Sequence, residues 1–384
     1  MPTALRWIAL LLGGGVLLAT WMSVIGTLIV PRPIRSRISK ASGLAGIWVF
    51  AQICRPVRTY EVRDRILAWQ APMSLFLRLV IWVGLFNLSY GLMLLPFVHG
   101  SAGAAFSEAG SGLFTLGYAA PHNVVNTAIV YLAAFSGLVV VALQIGYLPT
   151  LYNAFNRRES EVTLLVSRAG APAWGPELLA RTRFGLGTVD GTAEMGELYR
   201  TWERWAAEVA ESHSTYLTLC WLRSPRADAN WLISLLSVMD SAALQLSLSP
   251  SIAPALRARL LLRMGFSCLN QIARATGLAV TEDADPDAEI DLTFDDFGNA
   301  VRILESVGYP VEVTAEQAWP HYRGWRVNYE AVAYSLAYAI DAPPALWSGP
   351  RRWGAAPVPP HRPANRVASD TRAEDPQMIG RTKS

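Results

Sequence analysis

Ser111-Gly112-Leu113-Phe114-Thr115-Leu116-Gly117-Tyr118-Ala119 is a short, glycine-punctuated stretch set between two long apolar runs, residues 79–98 and 124–155. Those runs decide what kind of chain this is. No charged residue occurs across 20 positions from Leu79 to Val98, or across 33 from Val124 through Asn156. A third charge-free run covers 24 positions from Trp7 to Val30. A helix needs ~20 apolar residues to cross a hydrocarbon core, so each run is long enough to span. The chain has 384 residues, of which 52% are apolar and 16% charged. The placement of the charges, more than their number, argues for a membrane protein. A net charge of +3 is too small to argue for nucleic acid.

Charge counts outside the runs set the topology. The first run is too long for a signal-peptide core, has only Arg6 before it and lacks a clear cleavage site. It reads as a retained span over residues 5–30. The basic segment 31–70 carries Arg32, Arg35, Arg37, Lys40, Arg55, Arg58, Arg63 and Arg65 against Glu61 and Asp64. By the positive-inside rule it faces the cytoplasm, which puts the N-terminus outside. Within it, Gly43–Cys54 is apolar but too short to span and is expected at the interface or on the helix bundle. The basic residues are first a topology signal; Arg32, Arg35, Arg37 and Lys40 are also placed to meet anionic headgroups. Ala71–Val98 is expected to run outward, with Arg78 snorkelling at its inner end. Residues 99–123 contain no Lys or Arg, as an outside connection should. Val124–Leu148 then returns inward, and Arg157 and Arg158 mark the inner face.

Between the second and third spans, Ala102–Gly112 is rich in small residues, as suits a short re-entrant helix closely surrounded by protein. Non-helical backbone at membrane depth is tolerated where protein buries it or water lines it. With this placement, Thr115, Leu116, Gly117 and Tyr118 resemble the selectivity filter of bacterial potassium channels, in which a Thr-Val-Gly-Tyr-Gly loop replaces an ion's water shell with backbone carbonyls. The match covers residues 71–156. It departs from the family pattern at Ala119, where the family has Gly, and at Ala120, where many members carry Asp. The resemblance implies passive conduction of a monovalent cation, with weakened preference for potassium, through a pore closed by four copies of the chain. It also implies that Gly117 adopts a left-handed backbone freely, whereas Ala119 would do so at a cost of roughly 1–2 kcal/mol.

By the same resemblance the third span lines the cavity, with Ala134, Gly137, Val141, Ile145 and Leu148 on one stripe and Gln144 beside it. Gly137 is the candidate hinge, or else a point of close contact, and Ile145 and Leu148 are candidate gate residues that close by dewetting. The same stripe at helical spacing also suits simple packing on the second span. Pro149 is expected to kink or end the helix.

The remainder, 157–342, reads as a helical cytoplasmic domain. Glu194–Leu217, Trp231–Leu248, Pro254–Thr276 and Phe294–Gly308 show apolar residues at helical spacing. Asp240, Gln245 and four serines mark Trp231–Leu248 as a buried cytoplasmic helix rather than a fourth span. Thr293 and Asp296 form a capping pattern before Phe297, Val301 and Leu304. The acidic stretch 282–291 lacks the Gly and Glu that a calcium loop requires and reads as a solvated linker. Glu211-Ser212-His213 reads as a helix-surface pair, with no nucleophile or metal pattern beside it. No phosphate-binding loop or catalytic constellation is present, which argues against an enzyme. Cys54, Cys220 and Cys268 are scattered and expected as buried free thiols. Residues 343–384, rich in Pro, Arg and Ala, are expected to be a disordered tail.

The expectation is thus an all-α plasma-membrane protein: a first span (1–30), a basic segment with an interfacial helix (31–70), a channel-like module (71–156), a helical cytoplasmic domain (157–342) and a tail (343–384). Four copies would assemble, and no bound cofactor or metal is expected. The alternative is a non-conducting scaffold that oligomerises and displays its helical domain to a protein partner.

Overall fold

The structure, a computed structural model, describes residues 3–30, 37–98, 101–183, 192–280 and 284–361. Among these residues it is all-helical and has no strand; one isolated bridge pairs Ala345 with Val358. Four segments are long and apolar enough to cross a membrane: Ala4–Leu28, Tyr60–Leu94, Val124–Ala169 and Trp231–Leu248. That is the character of a membrane-inserted chain. The fold divides into two units, Met1–Val57 with Arg65–Ala154, and Arg58–Asp64 with Phe155–Ser384.

The first unit is built on α1 (Thr3–Leu28), α2 (Arg37–Cys54), α4 (Gln70–Leu94), α5 (Ala102–Leu113) and the first part of α6 (Val124–Ala169); α3 (Tyr60–Leu67), most of which belongs to the second unit, precedes α4 in the chain. Small residues bring its backbones together, as expected where lipid supplies no hydrophobic drive for association. A Cβ at Gly13 would lie 2.7 Å from the Ser89 carbonyl, so α1 rides close on α4. Trp82 Nε1 donates to Ser23 Oγ at 3.0 Å across the same pair. Leu11, Leu18, Phe76, Val80, Phe135 and Leu138 remain exposed on the outer faces.

Two boundaries differ from the sequence expectation. The helix expected over Gly43–Cys54 begins at Arg37, because Arg37 and Lys40 are good helix formers and a charge does not end a helix. Arg37 and Lys40 are exposed at its start; Arg32 and Arg35 lie outside the described residues. Pro149 neither ends nor breaks α6, which runs for 46 residues. The Pro149 ring sits on an exposed face, where the lost amide bond is the main cost.

In the second unit, α7 (Gly175–Arg181), α8 (Thr192–Thr215), a short 3₁₀ helix (Leu217–Trp221), α10 (Ala255–Thr276), α11 (Phe294–Ser306), α12 (Ala315–Arg326) and α13 (Glu330–Ala339) accompany α9 (Trp231–Leu248). Asn230 caps α9, accepting from the amides of Leu232 and Ile233. Every α9 residue from Trp231 to Gln245 is buried by protein, whereas the other three apolar segments show most of their surface. Thr293 caps α11 through the Asp296 amide at 3.2 Å.

The polar residues of α9 are used inside this core. Asp240 accepts from Arg326 at 2.5 Å and from the Tyr329 hydroxyl at 2.8 Å. Burial works against the Arg326 charge, but Asp240, its tyrosine neighbours and Glu330 outweigh it and hold the guanidinium firmly protonated. Arg326 also donates to the Trp347 carbonyl at 2.7 Å, and so draws residues beyond Pro343 into the core.

Residues 343–361 are therefore not part of a tail, contrary to the sequence expectation. They form a strap with Ala345, Trp347 and Arg351 buried. Arg351 donates to the carbonyls of Ala342 and Pro343 at 2.7 Å, and Arg181 to that of His361 at 2.9 Å. Composition hid the strap because arginine bonds to carbonyls, rather than an apolar repeat, hold it. Residues 362–384 lie outside the described residues.

The three cysteines are buried. Burial pushes the Cys220 thiol up to about 12, against the opposing pull of Arg158.

Candidate functional site

The stretch between α4 and α6 forms a short helix followed by a loop. Ser101 opens α5, accepting from the Ala104 amide. Phe106 packs onto Gly91 of α4, where any Cβ would displace the ring. At its other end α5 unwinds in stages: the amides of Thr115 and Leu116 donate to the carbonyls of Gly112 and Ser111, each at 2.9 Å. Thr115 and Gly117 then both take left-handed backbones, at φ 54° and 71°.

That placement corrects the sequence expectation. Gly117 is left-handed, but the second such residue is Thr115 and not Ala119. A β-branched residue there is a genuine outlier, with a cost of roughly 1–2 kcal/mol. The Thr115 hydroxyl donates to the adjacent Phe114 carbonyl at 2.7 Å. Thr115, Leu116, Gly117 and Tyr118 are exposed and Ala119 is half-buried.

Two bonds tie the loop back to α5. The Ala119 amide donates to Ser111 Oγ at 3.1 Å, and the Tyr118 hydroxyl donates to the Ser107 carbonyl at 3.1 Å. Neither serine stood out in the sequence, although Ser111 lies four residues before Thr115, one helical turn below it. Glu108 is the other residue that sequence reasoning passed over. It is the single acid in a small-residue helix, it is buried, and it lies beside Asn126 and within electrostatic reach of His122. Its Oε1 and both amide atoms of Asn126 lack a hydrogen bond of normal geometry.

Gly137 is brought to the base of this loop. A Cβ on Gly137 would collide with the Leu113 carbonyl, the last of α5. Of the two roles expected for Gly137, hinge or close contact, the close contact is the one seen, and α6 passes through it unbroken. Ile145 and Leu148 are not brought to the loop. At 1.5 Å per residue they lie about 12 and 17 Å farther along α6. Ile145 is exposed and Leu148 half-buried. Gln144 is buried between them and Gly137.

Elsewhere, His213 is fully buried rather than on a helix surface. Its Nε2 accepts from Arg158 at 3.0 Å, and burial together with Arg158 lowers its pKa well below the usual 6.5. Among the described residues no cluster of His, Cys, Asp or Glu could hold a metal ion. Asp287, in the acidic stretch, instead pairs with Arg323 at 3.1 Å. No protein-family model, curated protein or solved structure matches the chain.

Proposed function

We propose that the chain is the subunit of a cation-channel-like pore. In this reading α1, α4 and the first part of α6 span the plasma membrane, α5 and its loop re-enter from outside, and α9 belongs to a cytoplasmic helical domain. The N-terminus is outside, as the basic segment 31–70 requires. Four copies surround an axis lined by the carbonyls of Thr115–Tyr118, and a monovalent cation sheds its water against them. Potassium is the expected but not the exclusive ion, since Ala119 and Ala120 replace the residues that the family uses at the outer mouth.

One observation carries the reading: an exposed, non-helical backbone with left-handed residues at 115 and 117, following a short helix between two apolar ones. Unpaired peptide groups at membrane depth need protein or water around them, and a ring of copies about a wet axis supplies both. The exposed apolar face of α6 is weaker support, because lipid tails would cover it equally well.

Flux through the purified chain in liposomes, potassium against sodium with empty vesicles as baseline, is the test. Conduction abolished by Gly117→Phe is the expected result. A folded tetramer that passes no ion would instead favour the non-conducting scaffold, and a monomer would overturn the pore reading.

A further inference from the structure

Five residues after the end of α8 hold two distant parts of the second unit. Arg158, on the stem of α6, is fully buried and donates to the carbonyls of Leu219 at 2.7 Å and Leu222 at 2.8 Å. The next residue, Arg223, reaches the other way. Its Nη1 donates to Asp64 at 2.7 Å and to the Tyr60 hydroxyl at 3.3 Å, both on α3. Its Nη2 donates to the carbonyls of Ile340 and Asp341 at 2.8 and 3.0 Å. Asp341 in turn pairs with Arg63 of α3 at 2.8 Å and accepts from Trp353 Nε1 at 3.0 Å. Trp353 stacks on Tyr60 with 12° between the ring planes.

Arg63, Asp64, Arg158 and Asp341 are all at least nine-tenths buried. Truncating one partner would leave another charge buried and unpaired, which is why such contacts resist being broken singly. Only the Leu222–Arg223 peptide separates the carbonyl that Arg158 grips from the side chain that grips α3. Leu222 is extended and the 3₁₀ helix before it is short, so little slack lies between the two grips.

We propose that Leu219–Arg223 is a coupling element, through which displacement of α3 is felt at the α6 stem and the reverse. The consequence for conduction rests on the pore reading above. α3 leads into α4 across Ala68 and Trp69, and the α6 stem is continuous with the helix after the loop. Both pore-flanking helices would therefore answer to one five-residue segment of the helical domain. The coupling itself does not depend on that reading.

Hydrogen exchange in the full-length chain in detergent micelles tests it. Asp64→Asn should speed exchange roughly tenfold at residues 58–64 and also at 155–162. Arg158→Lys should do the same at 58–64. Arg226→Gln, which breaks only the exposed pair with Asp228, should change neither segment. Faster exchange confined to the mutated side would overturn the proposal. Asp64→Asn keeps both arginines and removes one charge, so it carries the test should Arg158→Lys fail to fold. A chain that couples but passes no ion keeps this inference and sinks the pore. A conducting chain with uncoupled segments does the opposite.

Discussion

Thr115 and Gly137 show how a single position shapes the loop. Thr115 takes a backbone that favours glycine, and strain of this kind persists only where its surroundings over-determine it. Here the Ser111–Ala119 bond and the seat of Leu113 on Gly137 do so. Gly137→Ala should force α5 and α6 apart, at a cost of about 1–3 kcal/mol. Its thermal midpoint in detergent should fall, while that of Leu138→Ala, an exposed neighbour, should stay close to the parent. An unchanged midpoint for Gly137→Ala would remove the contact and return the residue to hinge duty. The left-handed turn at Gly117 was legible in the sequence because glycine advertises it. The turn at Thr115 was not, since nothing in threonine's preferences announces it. Gly137 was visible as an oddity within an apolar run, but its partner 24 residues earlier was not.

Among the elements, length and apolarity were read most reliably, because a charge-free run needs no knowledge of its neighbours. Ends were read less well. α6 runs 13 residues past the charge-free stretch because Arg157, Arg158 and Glu159 are helix formers, and Arg158 and Glu159 have partners of their own. One of those partners sits on α8. His213 receives a bond from a guanidinium, so the fold keeps its ring neutral. Ser212 Oγ lies 3.0 Å from the other ring nitrogen, and Glu159 and Cys220 complete the polar surroundings. In the unfolded chain the ring takes a proton near pH 6.5. The folded pKa lies lower, so the unfolded state binds the extra proton as pH falls below that value, and stability drops. The thermal midpoint should decline between pH 7 and 5. His213→Gln should lower the midpoint at pH 7.5 and flatten its pH dependence over that interval. An equal slope in parent and variant would place the acid sensitivity elsewhere.

For the molecule as a whole, composition marked the long apolar helices and missed how the second unit is closed. The strap looked like a tail, and only the acceptors of Arg351 and Arg326 reveal it as core. A chain ending at His361 keeps the whole strap and is the reference. One ending at Ala342 should lose about 3 kcal/mol or more, since Trp347 leaves the core and Arg326 loses an acceptor. Equal midpoints for the two would show that the strap contributes nothing. The burial of the three thiols has a practical side. Cys54, Cys220 and Cys268 are each at most 2% exposed. Reagents act on the thiolate, so the native protein should be silent to maleimides. A cysteine introduced at Leu116, Ile145 or Leu164 would then be the sole labelled position, and the chain can carry fluorophores or spin probes with no native cysteine removed.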